Sequence, residues 1–323
     1  MHPVLKKIVV LLGTALLAFG GAAQAYPDRP IRLVQQFAPG GGSDSVARPL
    51  APVLEKILGQ TIIVENKPGA NGVVANQAVA NAAPDGYTLL FAAAGPMVAA
   101  PHLYDLRIDP QQAFVPVALV VKTPYAILAH RSTQVSSLKE LLDLAREKPG
   151  TITYGTSGVA GAPHLAGEML SAATGIKFLP VAYKGMGPAM NAVLGGEVDF
   201  AFADIAYAAP HIESDRVKIL AVTGDKRSAA LPDVPTVKEL GIADYASGTW
   251  YGIFAAKGTP QDVIDKVNAA VNQALAGDLS DRFVKQGMDP ASDMNARQFA
   301  EFVKTDYERL RDVIKQANIK IAP

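Results

Sequence analysis

The stretch Phe37-Ala38-Pro39-Gly40-Gly41-Gly42-Ser43-Asp44-Ser45-Val46-Ala47-Arg48 narrows the choice of fold more than any other. Upstream, Ile31 to Phe37 reads as a β-strand opened by Pro30. Downstream, Val46, Leu50, Val53, Leu54, Ile57 and Leu58 recur at helical spacing. A glycine run between a strand and a helix permits positive φ and close approach of the backbone to a ligand, and Ser43 or Asp44 is placed to cap the helix. The free N–H groups and dipole of such a terminus favour a carboxylate or phosphate without any cationic side chain. The competing reading is a glycine-rich turn that holds nothing.

The arrangement recurs along the chain. Strand Thr61 to Glu65, a loop through Asn66-Lys67-Pro68-Gly69-Ala70-Asn71-Gly72, an alanine-rich helix to about Ala82 and a buried strand Tyr87 to Ala93 ending at Ala94-Gly95-Pro96 form a parallel α/β pattern. Two strands follow, Val115 to Val121 and Tyr125 to His130, separated by Lys122-Thr123-Pro124, where a crossover to a second unit is expected. Ser137 with Glu140 makes a capping box for a helix stopped by Pro149-Gly150. Two more glycine-rich strand-to-helix loops follow, Gly155 to His164 and Lys184-Gly185-Met186-Gly187-Pro188, and strand Val198 to Ala203 closes on Asp204. Thr236 and Glu239 predict a short helix by a second capping box. Gly248-Thr249-Trp250-Tyr251-Gly252 reads as the return crossover, with Trp250 packing near a hinge. Thr259-Pro260 starts an amphipathic helix, and a last helix carries Phe299, Phe302, Val303, Leu310, Val313 and Ile314 on one face. Pro49 and Pro52 predict a kink in the first helix.

Charge and composition remove several functions. Lys+Arg and Asp+Glu both number 30, so no basic surface is available for nucleic acid. Lys6 and Lys7, the apolar run Ile8 to Phe19 and Ala23-Gln24-Ala25 describe a signal peptide over residues 1–25. The mature chain then begins at Tyr26 with 28 basic against 30 acidic residues, a formal charge of −2. Cysteine is absent, which excludes disulfides, a thiolate nucleophile and a cysteine metal site.

Catalytic signatures fail on inspection. Gly155-Thr156-Ser157-Gly158 is one residue short of the nucleophile elbow, and no Walker A loop, dinucleotide fingerprint or zinc helix is present. A serine hydrolase assembled from Ser43 or Ser157, His164 and Asp44 or Asp204 is the alternative, with nothing to fix its geometry. His164 is expected to cap or pack at its helix start. Asp204 has two readings, a partner for loop backbone or a ligand contact.

The first loop, followed by Val64-Glu65-Asn66-Lys67-Pro68-Gly69-Ala70, Pro84-Asp85-Gly86-Tyr87-Thr88-Leu89-Leu90, Tyr154-Gly155-Thr156-Ser157-Gly158, His164-Leu165-Ala166-Gly167-Glu168, Tyr183-Lys184-Gly185, Leu194-Gly195-Gly196-Glu197-Val198-Asp199, Pro232-Asp233-Val234-Pro235-Thr236 and Gly258-Thr259-Pro260, resembles the Bug receptors. These are periplasmic solute-binding proteins of tripartite tricarboxylate transporters. The resemblance covers nearly the whole mature chain. It implies an α/β, two-lobed periplasmic binding protein of type II, a Venus flytrap with a mixed sheet in each lobe. Residues 26–124 and 249–323 would form one lobe and residues 125–248 the other. A small carboxylated molecule would lie between them, held by backbone amides and ordered waters. Ala38, Gly40, Gly42 and Asp44 would supply one wall with Gly95 beside them, and Thr156, Gly158, Gly185 and Asp204 the other. The resemblance further implies a monomer that meets integral-membrane transporter subunits, with no catalytic residue, cofactor, metal or nucleic acid. A receptor serving a sensor kinase is the related alternative. Departures from the family are Pro49 and the loop Ala94 to Ala99, which lacks the hydroxyl-bearing residues common there. Asp44 would pair with the ammonium group of an amino-acid ligand, or turn away to cap or buttress. The second role is expected, because Ala94 to Ala100 offers no further anionic group.

Overall fold

The computed structural model describes residues 26–319 apart from 41, 160, 184–185, 212, 243–244, 246 and 317. The expected signal peptide and Gly185 lie outside the described residues. The first unit runs β1 (Ile31–Gln35), α1 (Gly42–Leu58), β2 (Ile62–Asn66), α2 (Val73–Ala80) and β3 (Thr88–Ala93). β1 lies between β2 and β3 and is parallel to both. A strand buried on both faces needs apolar residues at successive positions, and Leu33 and Val34 are both sealed, one toward each side of the sheet.

β4 (Phe114–His130) then crosses the whole molecule. Residues 114–124 pair with β9 (Gly248–Ala256), and residues 125–130 pair with β7 (Phe200–Asp204) and β8 (Val217–Val222). Between these strands the chain forms α3 (Leu138–Glu147), β5 (Thr153–Thr156), α4 (Ala162–Thr174), β6 (Leu179–Ala182) and α5 (Met186–Gly195). After β9 come α6 (Gln261–Leu275), α7 (Asp278–Lys285) and α8 (Ala296–Gln316). The strand order β2-β1-β3-β9-β4-β7-β5-β6 therefore contains two mixed sheets joined along β4.

Each lobe has its own core. In the first, Leu50 and Leu54 of α1 and Val267 and Val271 of α6 cover one face of the sheet, and Phe299, Val303 and Leu310 of α8 cover the other. In the second, Tyr154, Phe200 and Phe202 stack beneath α3 and α4. α4 reaches the sheet through Gly167, where a Cβ would come within 2.3 Å of the Tyr154 ring.

Several expectations change. Lys122-Thr123-Pro124 does not separate two strands, because Tyr125 N–H donates to Thr223 Oγ1 at 2.8 Å and the extended backbone passes from one sheet to the other. α1 runs unbroken through Pro49 and Pro52, held by the buried face of Val46, Leu50 and Leu54. The Thr236–Glu239 capping box forms both of its hydrogen bonds, at 2.9 and 3.0 Å, but starts only a turn. Gly241, at φ +91°, ends it after one turn. α7 was not foreseen, although Asp278 and Asp281 in its first turn and Arg282 and Lys285 in its last match the helix dipole. Trp250 packs against Phe254, Phe299 and Phe302 and donates its indole N–H to the Asp306 carboxylate at 2.8 Å.

Candidate functional site

The glycine-rich loop after β1 is shaped by a buried polar network rather than by capping in the expected sense. Gln35 Nε2 donates to Asp44 Oδ1 at 2.7 Å, and Ser43 Oγ donates to Gln35 Oε1 at 2.7 Å. Asp44 Oδ2 accepts from the Gly40 N–H at 3.0 Å and from Arg48 Nε at 2.7 Å. Gln36 donates to Asn76 Oδ1 at 2.7 Å and accepts from the Ala93 N–H at 3.0 Å, tying the loop to the end of β3. Burial pushes the Asp44 carboxyl up, but the bonds from Arg48, Gly40 and Gln35 outweigh it and hold the group below the usual carboxylate range. With these side chains matched behind the loop, what faces outward is mostly backbone and small side chains.

That outward face lines a cleft of about 660 Å³ between the lobes. Gly42 and Ser43 bring the start of α1 to it, Ala162 and Pro163 the start of α4, and Met186 and Gly187 the start of α5. Among the described lining residues there is no lysine, arginine or histidine, and Asp204 is the one carboxylate. Tyr104, Tyr125 and Tyr251 supply phenols, while Pro68, Pro96, Val159 and Met186 supply apolar surface. Helix starts converging on a cleft can hold an anion without a fixed counter-charge.

Of the residues singled out from sequence, Ala38, Gly42, Gly95, Gly158 and Asp204 line this cleft. Gly40 instead lines an adjoining chamber of about 220 Å³. Asp44 sits behind the loop and is not part of the cleft surface. Thr156 is fully buried, and its hydroxyl donates to the Gly158 carbonyl at 3.1 Å, so it supports the second glycine loop from beneath. His164 is buried in the first turn of α4, with Nε2 3.7 Å from Glu168. Burial lowers the imidazole pKa despite that carboxylate. Sequence reasoning missed Tyr125, Tyr251 and the buttressing pair Gln35 and Gln36. Two consecutive glutamines at the end of a buried strand are a usable signal, because each amide needs a partner there. Asp204 does not bond loop backbone: its Oδ1 is sealed from solvent with no hydrogen-bond partner, and burial alone pushes its carboxyl up to about 7. No helix among the described residues is long and apolar enough to cross a membrane.

Residues 46–319 match the family described as "Tripartite tricarboxylate transporter family receptor". The chain is 31% identical over 328 residues to the protein BugT of Bordetella pertussis, covering 99% of each. A structure of R. palustris Rpa4515 with adipate superposes with a TM-score of 0.83 at 29% identity, covering 91% of this chain and 99% of that one. MatC from Rhodopseudomonas palustris with bound malate superposes with a TM-score of 0.79 at 32% identity, covering 90% of this chain and 100% of that one.

Proposed function

Because the chain belongs to the tripartite tricarboxylate transporter receptor family, we propose that it captures a small carboxylated solute in the interlobe cleft and delivers it to the membrane subunits of such a transporter. The observation that carries this reading is the cleft wall itself. Three helix starts meet on a surface that holds no described cation. A carboxylate satisfies those N–H groups, whereas a cationic ligand would meet their positive ends. Adipate and malate on the two similar receptors have the same chemistry. The proposed lobes are residues 26–124 with 249–323, and residues 125–248. Closure would pivot where β4 and β9 pass between them, at Thr123-Pro124 and Gly248-Trp250.

Binding without turnover is part of the same reading. Ser43 and Asp44 are engaged with Gln35, and His164 lies beside Glu168, so none of these contacts supports the hydrolase alternative. Native mass spectrometry of protein prepared from periplasm without denaturation tests the proposal. The expected result is a complex heavier by one intact small organic acid. Protein that carries none, and to which neither malate, adipate nor a wider set of carboxylates adds mass, would overturn it.

A further inference from the structure

Asp204 stands at the C-terminal end of β7, where the main cleft and the smaller chamber meet, and lines both. Its Oδ1 has no partner and no water contact, and its Oδ2 lies 3.2 Å from the position a Cβ on Gly42 would take, at the start of α1. In the smaller chamber the Thr123 hydroxyl is orphaned in the same way. Residues that line the two cavities with Asp204 include Tyr125 and Thr123 from β4, Tyr251 from β9, Gly42 and Ser45 from α1, and Met288 from the loop after α7. The tyrosine phenols are the only titratable groups among these. Asp44, behind the glycine-rich loop across the cleft, is already matched by Arg48, Gln35 and Gly40. Asp204 has one carboxylate oxygen sealed from solvent and no cation among the described residues around it, so ionisation is disfavoured, and a ligand carboxylate arriving beside it adds like-charge repulsion.

We infer that the cleft takes up its carboxylate together with one proton, carried by Asp204, whose neutral carboxyl group donates a hydrogen bond to a ligand oxygen. This rests on the carboxylate reading above. The proton comes from solvent, no covalent bond forms or breaks, and it returns to solvent on release. Burial already pushes the empty-site carboxyl up to about 7, and the incoming anion pushes it further in the same direction. Uptake is therefore largest between the empty-site and occupied-site midpoints, and across that interval affinity falls about tenfold per pH unit. A ligand that instead placed an ammonium group against Asp204 would release a proton.

Calorimetry of malate and adipate between pH 6 and 9, in buffers of different ionisation enthalpy, reads this directly. Wild type is expected to take up close to one proton per acid bound near pH 8. Asp204→Asn, which still offers an N–H donor, should bind with no uptake and a flat pH profile. Binding of either acid without proton uptake, or with release, would overturn the inference. A second arm needs no ligand. A carboxyl raised in the folded state destabilises it progressively as pH rises from the unfolded value toward the folded one. Asp204→Asn should therefore melt higher than wild type at pH 8 and no differently at pH 3. Equal melting at both pH values would overturn the inference whether or not an acid binds. A melting difference with neither acid bound, alone or in the wider carboxylate set, would count against the carboxylate reading instead.

Discussion

At the scale of single residues, Asp44 and Asp204 show the same side chain put to opposite uses on the two sides of one cleft. Asp44 has three donors, which hold its carboxyl below the usual carboxylate range, whereas Asp204 Oδ1 has no partner and burial raises its carboxyl to about 7. Hydrogen bonds to a charged group contribute about 1.5–3 kcal/mol each, so Asp44→Asn, which keeps one acceptor and loses the Arg48 pair, should lower stability at neutral pH by about that much. The folded-state pKa of Asp44 is depressed. Its contribution is therefore present above the unfolded carboxylate value and lost as pH falls through the lower folded one. Melting curves should separate variant and wild type at pH 6 and converge near pH 2. Affinity for a bound acid should change by less than about threefold; a tenfold loss would place Asp44 in the site. The sequence alone left open whether Asp44 contacts ligand or buttresses its loop. The deciding fact was invisible there: Gln35, at the end of β1, turns its amide toward the carboxylate rather than toward solvent.

At the scale of elements, the junction of β1 and α1 was legible because glycine, strand and helix patterns point to one geometry. The helices and strands that carry strong periodicity followed for the same reason. What stayed hidden is tertiary. Tyr251 reaches the wall only because β9 inserts antiparallel between β3 and β4, and no local pattern announces an insertion. Gly42 records that contact, since a Cβ there would lie 2.6 Å from Tyr251 Oη. Gly42→Ala should therefore displace the phenol into the cleft and weaken acid binding at least tenfold, with little change in melting temperature. Adding Tyr251→Phe, which removes the clashing oxygen, should restore most of the affinity. If the double variant binds no better than Gly42→Ala, the contact is not what makes glycine necessary. The Thr236 turn makes the complementary point: a capping box starts a helix only where several residues of helical pattern follow.

At the scale of the molecule, two mixed sheets share β4, and β9 returns beside it where the lobes meet. The proline- and glycine-marked segments at residues 123–124 and 248–252, where passages between lobes were expected, lie on the paired strands β4 and β9. That β4 is a single strand was not readable from the sequence, because Pro124 looks like a break until Thr223 is seen to take the neighbouring N–H. Lobes joined by two adjacent strands, with separate cores and a cleft between them, are suited to closing on a small ligand. The central claim is that the ligand's carboxylate sits where the helix starts converge. The crystal structure of the protein with its co-purified acid, or with malate or adipate, tests this most directly. The account predicts carboxylate density against Gly42 and Gly158 with Asp204 in hydrogen-bond contact and the lobes drawn together. An acid bound elsewhere, or a cleft left empty at saturating acid, would contradict it.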